Sequence, residues 1–487
     1  MLLLRRIFFY LFLVIYLIAC PMTILYALGY ILKPGMEQGL VKTGLIYIST
    51  VPSGASVYIS NKRYTRRTPA ILRDLTPGNY PIRISLKNHR SWFQNVPVEA
   101  EKATALEKIL LVPTELKREQ LSTEPFERLI PIEKSRYFLL AAGPRPGDLF
   151  VFDWKQEKIR PLFRKEDPLG EGKVLSFYSV PGGASFLLLV HIRGGERYLW
   201  VEIGGKEFRV EDISVCFPEE PLAVVWDPHD RDHLFSIHDN YVNRVDVPGR
   251  SVLMKYLENI RGFGLFHKNL YALRGDFLLE RLDYDRKPRE ILLNDGTLGS
   301  SIFGPEGLFQ IHAVNNDIIF FRGERGELLA NRLPYRFLQE GAVGYEFYPP
   351  RERSLVWRKE DVGILDFSKR ARNDDAFEKG PSLHWVYQRG KRIEQAFWVY
   401  EGSHILFRDE NRVFLLEIET HGKPHLYSLL EVKRKTDAVY AEATGKLYYL
   451  DPESERLNSV EILPRQEILP FTFAEKKEKK KSEIEGL

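Results

Sequence analysis

The densest polar cluster in this 487-residue chain is Asp227-Pro228-His229-Asp230-Arg231-Asp232-His233. Histidine and aspartate are metal-ligand types, and His229 and His233, four apart, would share one face of a helix. Pro228 and the alternating apolar runs on either side instead mark a turn between strands, where Asp and Pro belong for backbone reasons. Gly262-Phe263-Gly264 opens like a dinucleotide loop, yet His267 stands where the third glycine is needed and no helical pattern follows. Asn373-Asp374-Asp375 also reads as a loop. Paired carboxylates for glycosidase chemistry require a separation in space that spacing along the chain does not supply. There is no G-x-S-x-G elbow, no H-E-x-x-H, no phosphate loop and no EF-hand loop. The two cysteines, Cys20 and Cys216, make neither a zinc cluster nor a structural disulfide. The expectation is no catalytic residue, no cofactor site and no metal site.

The elements that would position any site are β-strands behind one apolar segment. Lys+Arg (70) nearly balances Asp+Glu (66), leaving +4 and no electrostatic case for a nucleic-acid partner. With 44% hydrophobic and 13% aromatic residues the composition is globular, which excludes disorder, collagen and a disulfide-stapled mini-protein.

Residues 7–32 contain no charged side chain. As a helix they would reach about 39 Å, enough to cross a bilayer with some tilt. Pro21 would kink this span, and Tyr26 and Tyr30 fall where an interfacial aromatic belt would lie. Arg5, Arg6 and the amino terminus precede it, so the positive-inside rule leaves residues 1–6 as a cytoplasmic stub and the bulk outside. Two rivals are a cleaved signal peptide and a lipoprotein, since Leu17-Ile18-Ala19-Cys20 resembles a bacterial lipobox. Against the lipoprotein, a long apolar stretch follows Cys20, and Pro21 stands where the mature chain would begin.

Residues 44–113 carry short period-two runs, Leu45–Ile48, Ser56–Ile59 and Tyr80–Ile84, between turns rich in Pro, Gly and Asn. They predict a small antiparallel sandwich. The segments Val51-Pro52-Ser53-Gly54-Ala55, Thr68-Pro69 and Leu75-x-Pro77-Gly78-x-Tyr80, with His89 near the end, resemble the PEGA domain family of bacterial-type exported and envelope proteins. Ser53 replaces the glutamate of the family tetrad. The resemblance implies a β-sandwich with no established catalysis, in which Pro52, Ser53, Gly54, Ala55, Thr68, Pro69, Pro77, Gly78 and Tyr80 serve the fold.

From 125 to 464 strand follows strand, in units of three or four that recur every 40–50 residues, as at 223–246, 262–283, 396–418 and 438–462. That rhythm predicts a mainly-β chain ending in a seven- or eight-bladed β-propeller, with stacked β-sandwiches as the alternative. It resembles WD40-like or TolB-like propellers in rhythm only, since no Trp-Asp signature recurs. The mixed-charge run over 471–487 reads as a disordered solvated tail.

Together these features predict a non-catalytic, membrane-anchored, extracytoplasmic binding or scaffold protein of the cell envelope. Its partners would be an envelope protein or a cell-wall glycan, with the membrane met through residues 7–32 and no nucleic acid. The alternative is an extracytoplasmic propeller enzyme, cleaving glycan or ester bonds at a funnel built from several blades. A transmembrane sensor is disfavoured by the six-residue stub.

Overall fold

The computed structural model describes residues 2–27, 30–32, 40–132, 135–163, 168–179, 185–204, 208–227, 229–230, 232–294, 296–303, 307–315, 318–323, 326–331, 336–339, 341–367, 382–418 and 424–462. The Asn373-Asp374-Asp375 stretch and the 471–487 tail lie outside the described residues.

The apolar segment is a helix, Leu2–Ala27, with Pro21 inside it. Its span Ile7–Leu25 is long and apolar enough to cross a membrane, and none of it is covered by protein. The expected boundary at 32 is corrected here: Tyr30–Leu32 is a strand paired antiparallel with Leu40–Lys42. Nineteen helical residues still rise about 29 Å, close to one hydrocarbon thickness.

The next module is a two-sheet sandwich. One sheet holds Gly44–Val51 between Ala70–Leu75 and Ala103–Leu110, the latter pairing in parallel. The other runs, edge to edge, Lys62–Arg67, Ser56–Ile59, Gly78–Ser85 and Trp92–Val98. Their facing side chains alternate as a half-buried strand must. Ile46, Ile48, Val57, Ile82, Ile84, Trp92 and Val96 share one core.

Beyond it lie eight blades of four antiparallel strands each among the described residues: 128–161, 173–212, 223–258, 260–293, 309–339, 344–387, 393–431 and 439–461. The last blade contributes only three strands of its own. Its outer strand is Arg118–Pro125, paired antiparallel with Arg456–Glu461. This strand, whose last residue is Pro125, precedes the expected start at 125.

The apolar clusters decide between ring and stacked sandwiches. Each lies between two consecutive blades rather than inside one sandwich. Leu139 packs with Leu188, Leu187 with Leu234, Phe235 with Phe263, and Leu273 with Phe321. Phe320 then packs with Val356, Leu355 with Phe407, and Leu406 with Tyr449. Tyr448 meets Phe138, which returns to the first blade. Eight shared cores in a closed cycle define a propeller, and the large aromatics fill its wedges.

The glycine pair at 262 and 264 has a packing role. These residues sit on the innermost strand of the fourth blade, which pairs in parallel with the innermost strand of the fifth. A Cβ on Gly264 would lie 1.9 Å from the Ile311 carbonyl oxygen. The blades can meet at this closeness only through glycine.

Candidate functional site

The site singled out by burial and charge is the junction between sandwich and ring. The strand Trp92–Val98 is a sheet edge, and the loop before it carries Arg90. Trp92 is buried in the sandwich core, yet its indole Nε1 donates to Glu417 Oε2 at 2.9 Å. Glu417 ends the third strand of the seventh blade, Arg412–Glu417, and is only 3% exposed. His425 completes the group. Its Nδ1 lies 2.9 Å from Glu417 Oε2 and its Nε2 2.8 Å from the Phe93 carbonyl oxygen. The Trp92 and His425 rings lie 5.4 Å apart.

The protonation of this group follows from its partners. A carbonyl oxygen only accepts, so His425 Nε2 carries a hydrogen. Nδ1 faces a carboxylate oxygen that already accepts from Trp92. The favourable state is an imidazolium that donates from Nδ1 to the Glu417 carboxylate and from Nε2 to the Phe93 carbonyl. The hydrogen bond to Glu417 raises the His425 pKa above its ordinary value, against the burial that opposes it. Cross-strand from Glu417 stands His404, which burial pushes down to about 4 and so holds neutral. Its Nδ1 bonds the Ser403 hydroxyl at 2.9 Å, and its Nε2 has no partner among the described residues.

Apolar and peripheral contacts complete the junction. Leu110 and Val112, at the end of the last sandwich strand, pack into the same cluster as Val399, Leu430 and Tyr449 of the ring. Arg90 Nη2 donates to the Ser428 carbonyl at 3.1 Å and lies over the Tyr427 ring. Lys108 pairs with Glu401 at the rim. This arrangement joins two modules through one charge-assisted knot inside an apolar seam.

The residues singled out from the sequence are placed as follows. Asp227 accepts backbone N–H bonds from His229 (2.8 Å) and Asp230 (3.2 Å), and the Tyr284 hydroxyl donates to it across to the fourth blade at 2.8 Å. His233 Nδ1 lies 2.9 Å from Asp230 Oδ2. Asp227 thus ties this connection between strands to the neighbouring blade. No group of three metal-ligating side chains occurs among the described residues. In the small module Gly54 takes φ +83°, and Thr68 binds this turn: its hydroxyl accepts from Ala55 N at 2.9 Å and its carbonyl from Gly54 N at 2.8 Å. Ser53, the departure from the family tetrad, is exposed. The Tyr80 hydroxyl donates to the Thr76 carbonyl, one turn away at 2.8 Å. A second feature is a groove of about 650 Å³ at the outer rim, where the closing strand passes the first blade, lined by Leu121, Phe126, Phe150 and Ile159 among others.

Glu417 and His425 were not singled out from the sequence. The signal lies in the blade register. Third strands end on or just before an aspartate at Asp153, Asp246, Asp283 and Asp366. The first three accept backbone N–H bonds within their own turns. The seventh blade has Glu417 at this place, one methylene longer, and turns it toward the sandwich.

The comparisons with known proteins agree with the small module. Residues 43–111 match the PEGA domain family. No curated protein matches the chain. Among solved structures, similarity extends to BamB from Moraxella catarrhalis at 12% identity and TM-score 0.42, over 71% of this chain and 99% of that one. The Dos1 propeller gives 12% and 0.43 over 72% and 95%. The WD40 domain of SCAP from fission yeast gives 11% and 0.42 over 72% and 95%.

Proposed function

We propose that this chain is a membrane-anchored, extracytoplasmic scaffold whose ring is presented to an envelope protein or glycan at a fixed height above the bilayer. The observation that carries the reading is the placement of the sandwich. Its strand Gly44–Val51 begins one residue beyond the Leu40–Lys42 strand, after Thr43, and next to the Lys42–Glu101 pair. The same strand ends at Val51, whose neighbour Leu110 enters the core shared with the ring. The Leu40–Lys42 strand and the ring therefore lie at opposite ends of a sandwich whose central strand is about 26 Å long. A seam with a buried charged knot is what a spacer needs and a flexible tether does not. Two β-modules that commonly serve recognition, joined in this way, support binding over catalysis.

The orientation is tested with a single reporter cysteine at the exposed turn position Glu453, in the full chain carrying Cys20→Ser and Cys216→Ala. A membrane-impermeant maleimide should label it in intact cells whose envelope is permeable to the reagent. Labelling only after lysis of the inner bilayer would overturn the extracytoplasmic assignment.

A further inference from the structure

Charge in the sandwich is segregated by sheet. The sheet built from Ser56–Ile59, Lys62–Arg67, Gly78–Ser85 and Trp92–Val98 contains Lys62, Arg63, Arg66, Arg67 and Arg83, and no Asp or Glu. Its sister sheet is balanced, with Arg73 and Lys108 against Asp74 and Glu107. Cross-strand register sorts the basic sheet further. Arg63 pairs with Tyr58, Tyr58 with Arg83, and Arg83 with Phe93, so one row of alternating cations and aromatics crosses all four strands. Arg67 stands beside this row, opposite Ser56. The row faces away from the core. Arg63, Arg67 and Arg83 are exposed, and Phe93 is 54% exposed. Arg83 lies over the Tyr58 ring at 4.3 Å, and Arg63 reaches the Ser56 hydroxyl. None of the three arginines has a carboxylate partner among the described residues.

We propose that this outer sheet face binds an anionic glycan, one whose sugar units carry carboxylate or phosphate groups. Arg63 and Arg83 stand two strands apart, about 10 Å, and present planar donor forks suited to such groups. Phe93 supplies an apolar plate for a sugar ring between charged contacts. The bilayer fits the face less well. At the end of the sandwich beside the helix, Lys42 pairs with Glu101 and Lys102 with Glu99, whereas the unmatched arginines lie along the side. The proposal deepens the scaffold reading and rests on it for where such a polymer would be met.

The test uses the purified full chain in detergent micelles over immobilised polygalacturonate, with neutral dextran of equal length and phosphatidylglycerol vesicles as separate arms. Binding to polygalacturonate, weakening with salt and absent on dextran, is expected. The triple variant Arg63→Gln, Arg67→Gln, Arg83→Gln should bind about tenfold more weakly with an unchanged thermal transition. Phe93→Ala should weaken binding without changing its salt dependence. No polygalacturonate binding, or binding indifferent to the triple variant, overturns the proposal. Vesicle capture that needs these arginines, without polygalacturonate binding, also overturns it and gives the face to lipid. Because this assay is done on purified protein, its failure is distinct from a cytoplasmic result in the labelling experiment.

Discussion

The most consequential single residue is Glu417. It accepts from an indole and an imidazolium while almost fully buried. Glu417→Ala should destabilise the seam by about 3 kcal/mol, since it strands two donors and a charge. Thermal unfolding reads this loss, and an unchanged transition would show the knot to be incidental. Two histidines give the seam opposite pH limbs. His425 has its folded pKa raised above 6.5, so its contribution is complete below that value and is lost as pH climbs through the folded pKa. His404 is held down at about 4, so its contribution is complete above 6.5 and is lost as pH falls toward 4. Amide protection in 88–98 and 424–431 should therefore peak near pH 6.5. The His425→Gln variant should lose only the alkaline limb, and a parent-like alkaline limb would refute the assignment. None of these three residues was legible from composition or motif. Glu417 looks like any strand-terminal acid until blades are set side by side, and His425 and Trp92 lie more than three hundred positions apart.

At the scale of elements, the sequence was most informative where strands are short, alternating and separated by turn residues. The expected runs at 223–246 and 396–418 became Ala223–Trp226, His233–Ile237 and Tyr241–Asp246, then Ile393–Val399, His404–Asp409 and Arg412–Glu417. The outer strand of the third blade, Ser251–Glu258, was hidden by local pattern, because it is largely exposed and loses the clean alternation. The Gly-x-Gly motif carried information too, but about strand proximity rather than nucleotide binding. Gly264→Ala should cost about 3 kcal/mol or more, by forcing a Cβ into the Ile311 carbonyl. Gly54→Ala meets open space and pays only for its left-handed backbone, about 1 kcal/mol. Equal losses for the two variants in denaturant titrations would contradict the close approach of the fourth and fifth blades.

For the whole molecule, the shared core at the seam predicts that sandwich and ring unfold together. One calorimetric transition is expected for the full chain in micelles. Trp92→Phe keeps an aromatic ring of smaller volume and removes the donor to Glu417, so it should lower that transition and begin to split it. Two separate transitions already present in the parent would argue for independent modules. The near-neutral net charge of the chain concealed the basic sheet, because a balance taken over 487 residues averages away what one sheet concentrates. The pairing of Arg118–Pro125 with Arg456–Glu461 also governs the order of events during synthesis. The closing strand leaves the ribosome early and must wait for a mate made more than three hundred residues later. Bringing those ends together costs about 5 kcal/mol in loop entropy. Until then, seven blades stand as an open arc with raw edges. The ring is therefore sealed only when the last blade has been made, and the open arc before that moment is the state most prone to wrong strand pairing.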